Sequence, residues 1–207
     1  MITQTIAALA SALAATLGVL FARLWCRSNT PLVDPPPPLG IPWWGLALAA
    51  ACIGIEHSVR QPTIHHILLL AVILFVLSAA TTIDISLGII PDILTLVPLA
   101  AITIIANLQT DLQPTITAAI IALPFCIAAL LSRGYGVGWS DVKLAALGAA
   151  VLGLSNAIVG LTLASAVAFI VSKRRPPHSQ PIAFAPYIAA GIGLMLMMGL
   201  YPSSTGF

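Results

Sequence analysis

Apolar residues gather along the chain into runs at about residues 5–24, 42–55, 66–83, 92–108, 115–131, 143–172 and 183–201, and polar, proline and charged residues fall mostly in the gaps. A helix rises about 1.5 Å per residue, so a run of about 20 residues crosses the roughly 30 Å hydrocarbon core of a bilayer. The run at 143–172 is too long for one crossing, because as a single helix it would extend about 45 Å. Gly153, Ser155 and Asn156 sit near its middle. The pattern therefore predicts two short helices joined by a tight turn there, and eight helical segments in all.

Composition turns that pattern into a class. The chain has 207 residues, 59% of them hydrophobic and only 7% charged, with a mean hydropathy of +1.07. This excludes an ordinary soluble domain and predicts an all-α, polytopic membrane protein. The net charge of +2 comes from basic residues scattered along the chain, which form no nucleic-acid patch. The first run has no basic residue before it and Arg23 and Arg27 at its far end, the reverse of a cleavable signal, so it reads as a permanent span.

With the N-terminus outside and eight crossings, Arg23, Arg27, Arg133, Lys143, Lys173, Arg174 and Arg175 fall on the cytoplasmic side and only Arg60 falls outside, as the positive-inside rule requires. The stretch "SNTPLVDPPPPLG", residues 28–40, is a proline-rich cytoplasmic loop that reads as an extended spacer. No repeat or long linker divides the chain, so residues 1–207 read as one integral membrane domain. Trp43, Trp44 and Tyr201 read as interfacial anchors.

Candidate chemistry is sparse. Cys26, Cys52 and Cys126 stand singly, so neither a disulfide framework nor a zinc site is expected. His57, His65 and His66 fall in an outer loop, where hydrated histidines without a metal are expected, and Glu56 and Asp111 fall in outer loops too. Asp34 lies in the proline loop. That leaves Asp84, Asp92 and Asp141, each at the cytoplasmic end of an apolar span, where an ionisable group is costly and is a functional candidate. Asp92 follows Pro91 and starts an apolar run, so helix capping is the expected role. Asp141, between Ser140 and "VKLAALG", can cap or do chemistry. Asp84 ends its run, where a negative charge opposes the helix macrodipole and caps nothing.

Two carboxyl groups sharing one proton can hydrolyse a peptide without metal or serine, one activating water and the other protonating the leaving group. No zinc-protease motif, serine elbow or phosphate loop competes with that reading. Gly134, Gly136 and Gly138 before Asp141 would let backbone or an extended substrate approach closely.

Three stretches carry a resemblance. "TIDISLGIIPDILTLVPL" is similar to a motif with an aspartate eight residues before an aspartate preceded by proline, here Asp84, Pro91 and Asp92. "GVGWSDVKLAALGAAVLG" is similar to Gly-x-Gly-Asp followed by Lys-Leu, here Gly136, Gly138, Ser140, Asp141 and Lys143, with Ser140 standing where the motif has glycine. "QPIAFAPYIAAG" resembles a late proline-phenylalanine-proline segment. Together, over about residues 66–195, they resemble the type IV prepilin peptidases, relatives of archaeal preflagellin peptidases and more remotely of presenilin-type intramembrane aspartic proteases.

The resemblance implies an inner-membrane aspartic endopeptidase with Asp84 and Asp141 catalytic, no cofactor, and a prepilin or pseudopilin substrate cut after a glycine on the cytoplasmic side. It also implies an apolar substrate helix lying against the spans in membrane lipid. The large zinc-binding loop that full-length bacterial members carry after the first span is replaced here by the proline loop, which implies weak or absent N-methylation. Two other readings of the same acids stay open: a small proton-coupled transporter or channel, and an inactive relative.

Overall fold

The computed structural model describes residues 2–29, 43–60, 63–132, 137–174 and 183–198. Among them the chain forms eight α-helices and no strand. Four of the helices, Ile2–Ser28, Ile64–Leu87, Gln113–Leu131 and Leu154–Arg174, are long and apolar enough to cross a membrane, and Trp44–Val59, Asp92–Leu108 and Ala185–Met197 are shorter apolar helices. Many large apolar side chains point outward, among them Leu9, Leu13 and Leu24 at 60–69% exposure. That surface suits lipid and not water. The protein is a multi-pass membrane protein.

The chain divides into two compact units, one of residues Met1–Ile90 and one of Pro91–Met195, with short C-terminal pieces assigned to each. The first unit holds α1 (Ile2–Asn29), α2 (Trp43–Arg60) and α3 (Ile64–Leu87). α1 and α3 meet where Gly18 has no side chain: a Cβ there would stand 2.5 Å from the Phe75 carbonyl oxygen and press on the Ser78 hydroxyl. One turn on, the Phe21 and Phe75 rings are 5.8 Å apart, and beyond them Cys26 hydrogen-bonds Ser86. From Gly18 beside Phe75 and Ser78 to Cys26 beside Ser86 the contacts advance along both helices, so α1 and α3 run parallel and Arg23 and Arg27 lie at the Asp84 end. α2 runs the other way, because a Cβ on Gly54 near its end would stand 2.6 Å from the carbonyl oxygen of Ala7, near the start of α1.

One expectation fails in this unit. Glu56 and His57 do not lie in a loop but inside α2, which runs on to Arg60, and His65 and His66 lie in the first turn of α3. His57 is 2% and His66 9% exposed, with ring centroids 6.1 Å apart, whereas His65 is exposed. The apolar run ends at residue 55, but the next turn of α2 still packs against its neighbours and buries His57 and Ser58, while Val59 stays exposed. Among the described residues, no group of three or more histidine, cysteine, aspartate or glutamate side chains could hold a metal ion.

The second unit holds α4 (Asp92–Leu108), α5 (Gln113–Leu131), α6 (Trp139–Leu152), α7 (Leu154–Arg174) and α8 (Ala185–Met197) as far as Met195. α6 packs against α4, α5 and α7 and is buried from Leu144 to Leu152. Glycines let α8 approach: a Cβ on Gly148 would stand 2.7 Å from Ile192 Cγ1, and one on Gly191 would stand 3.0 Å from the Gly160 carbonyl carbon.

The expected division of the longest run occurs at Gly153, whose φ of 74° and ψ of 168° no helix accommodates. Its N–H still reaches the Ala149 carbonyl at 3.0 Å. The Asn156 side-chain amide donates to the Leu152 carbonyl at 3.2 Å, which satisfies one of the carbonyls that a helix end leaves open. Glycine supplies the left-handed φ that ends α6, and asparagine tidies the cut end.

Candidate active site

Asp84 occupies the last turn of α3 and is 6% exposed. The helix stops just beyond it because Gly88 takes a left-handed φ of 68°, the conformation in which glycine ends helices at least cost. The Gly88 N–H returns to the Asp84 carbonyl oxygen at 2.9 Å. A carboxylate in this turn is opposed by the helix macrodipole, as its place at the end of an apolar run predicts. Hydroxyls step along the same stretch of α3: Thr82 Oγ1 donates to the Ser78 carbonyl at 2.8 Å and Ser86 Oγ to the Thr82 carbonyl at 2.9 Å. Both hydroxyls donate to the helix's own backbone.

Asp141 lies in the second unit, at the opposite kind of helix end. It is the third residue of α6 and is also 6% exposed. The Gly138 N–H donates to its Oδ2 at 2.9 Å, which is one half of a capping box; Gly138 has no side chain to make the reciprocal bond. α6 starts earlier than the apolar run, at Trp139, because this acid closes a turn over residues that hydropathy leaves outside.

Gly138 itself has φ −79° and ψ 155°, which any residue adopts. Its lack of a side chain matters for space: a Cβ would stand 3.3 Å from both Asp141 Oδ2 and Ser140 Oγ. Ser140 is half-buried in the first helical turn and has no positive φ, so nothing in the backbone at that position calls for the glycine of the motif. Gly134 and Gly136 lie outside the described residues, as do Arg133, Arg175, Tyr201 and most of the proline loop.

The same unit brings Asp92 to Lys143. Pro91 precedes the first residue of α4, and the Asp92 side chain makes none of the expected capping bonds. Its Oδ1 accepts from Lys143 Nζ instead. Sequence reasoning missed this pair; the one available signal was that two opposite charges, in a chain nearly without charge, each stand at the start of an apolar run.

Apolar spans together with two buried aspartates at helix ends define a class: polytopic membrane proteins with ionisable groups buried at the ends of their helices. Within that class the chain belongs to the type IV leader peptidase family, whose model matches residues 68–172, a stretch that contains Asp84, Asp92 and Asp141. The family is one of aspartic peptidases acting on prepilin-like substrates. No curated protein and no solved structure matches the chain.

Proposed function

We propose that the protein is an inner-membrane aspartic endopeptidase that removes the basic leader from prepilin or pseudopilin precursors, cutting after a glycine on the cytoplasmic side, with Asp84 and Asp141 as its catalytic pair. One observation carries the reading. In a chain that is 7% charged, the family-matched stretch contains two aspartates that are each 6% exposed, and burial of a carboxyl group on that scale is costly without a use for it.

The helix ends divide the roles. Asp141 sits at the positive end of α6, with an N–H donor on Oδ2, surroundings that favour a carboxylate. It takes the base role and draws a proton from water as the water oxygen attacks the scissile carbonyl carbon. Asp84, in the last turn of α3, gives its proton to the departing amide nitrogen as the C–N bond breaks. The products are a shortened chain with a new amino terminus and a leader with a new carboxylate. At the end of the cycle the proton taken from water resides on Asp141, and exchange with solvent returns it to Asp84. Cleavage proceeds with weak or absent N-methylation of the product.

Incubation of purified full-length protein in a bilayer with a type IV prepilin, followed by mass spectrometry of both fragments, tests the proposal. The expected result is one cut after the leader glycine, lost in both Asp84→Asn and Asp141→Asn. Undiminished cutting by either variant refutes it.

A further inference from the structure

We propose that the Asp92–Lys143 ion pair is a positioning device for the reaction, which pins the start of α6 to the start of α4 and so fixes the orientation of Asp141. The inference rests on the catalytic reading of Asp141 given above.

Lys143 stands at the wrong end of its helix. A cation near a helix N-terminus is opposed by the macrodipole, and Lys143 is the fifth residue of α6. Asp92 is the first residue of α4 and has no capping bond to make there. Lys143 gains from Asp92 the negative partner that its own helix end does not supply, and Asp92, already favoured by the α4 dipole, is held charged at that place. The contact joins residues 51 positions apart, so it constrains the relation of two helices and not a local turn. Lys143 is 25% exposed and Asp92 66%, which places the pair at the margin of the packed unit, where removal leaves neither charge deeply buried.

The first turn of α6 has the most to gain from such a pin. Leu144, Leu147 and Leu152 are fully buried and key the helix from its second turn onward, whereas in the first turn Trp139 is exposed and Ser140 only half-buried. Residues 141 and 143 project about 200° apart around a helix. A tether at Lys143 on one side therefore sets the angle at which Asp141 is presented on the other, and small errors of placement at a reacting group cost rate steeply.

The test uses full-length protein in bilayers, a purified type IV prepilin as substrate, and the variants Asp92→Asn, Lys143→Met, the double variant, and the swap Asp92→Lys/Lys143→Asp. Positioning predicts that each single variant lowers kcat about tenfold with KM nearly unchanged. It also predicts that the double variant is no worse than either single, that the swap recovers most of the loss, and that the amount and melting temperature of the protein stay near wild type. Wild-type kcat in both singles, or losses confined to stability, overturns the proposal. A second readout does not need cleavage: the rate at which a maleimide labels Asp141→Cys, with and without Lys143→Met. Positioning predicts several-fold faster labelling once the tether is cut, and an unchanged rate overturns it. If wild-type protein cuts no prepilin, the peptidase reading fails, and the labelling rate still decides whether the pair holds residue 141 in place.

Discussion

The backbone N–H of Gly138 donates to Oδ2 of Asp141 at 2.9 Å, so the acid at the start of α6 caps its own helix. Capping does not compete with the proposed chemistry. The bond that closes the first turn of α6 also holds the carboxylate in place, and asparagine separates the cap from the proposed base role because it keeps the acceptor oxygen and cannot take up a proton.

Asp141→Asn is accordingly expected to accumulate and melt like wild type while cleavage falls by about 10³-fold or more. Asp141→Ala removes the acceptor as well, and should lose a further ~1 kcal/mol of stability. Thermal unfolding in detergent beside a prepilin cleavage assay checks both, and a silent Asp141→Asn would leave only the cap.

Asp84→Asn should match Asp141→Asn in activity, and the double variant should be no slower than each single, since groups that act as one unit are not additive. The wild-type rate should follow a bell in pH whose two apparent constants belong to the pair. Multiplicative losses in the double variant would show that the two acids act independently.

Gly138→Ala tests space at the site without removing a functional group. Its backbone angles suit alanine, but the new Cβ would stand 3.3 Å from Asp141 Oδ2, tighter than an ordinary contact. The expected outcome is a roughly tenfold lower kcat with stability nearly unchanged, read from steady-state kinetics and a melting curve.

Gly18→Ala tests the frame that carries Asp84. A Cβ at this position meets the Phe75 carbonyl oxygen at 2.5 Å, backbone that cannot step aside, so α1 and α3 must separate. A loss of about 1–3 kcal/mol is expected, seen as a lower unfolding midpoint, with kcat falling only as the Asp84 end of α3 loosens.

Orientation is open to direct labelling. A cysteine at Ser86, in the same last turn of α3 as Asp84, should react from the cytoplasmic side in intact cells, and so should one at Ser132. One at Thr110, in the turn between α4 and α5, should react from outside. Periplasmic labelling of Ser86→Cys or Ser132→Cys would overturn the cytoplasmic placement of the cut.

Hydropathy and turn chemistry were enough to determine an eight-helix membrane protein and the break at Gly153, because a bilayer demands long apolar runs and only glycine takes that φ cheaply. The runs also exposed Asp84 as an acid where a helix has no use for one. What the pattern of apolar residues could not decide were features that depend on polar contacts and on packing between helices. α6 begins at Trp139 because the Asp141 side chain closes a turn that hydropathy does not mark. His57 is buried because α2 continues packing beyond its apolar run. Asp92, which by its place after Pro91 should cap α4, instead meets Lys143 across 51 residues of chain. A capping rule describes one helix end alone, whereas a carboxylate responds to the strongest donor within reach, and only the tertiary fold determines which donor that is.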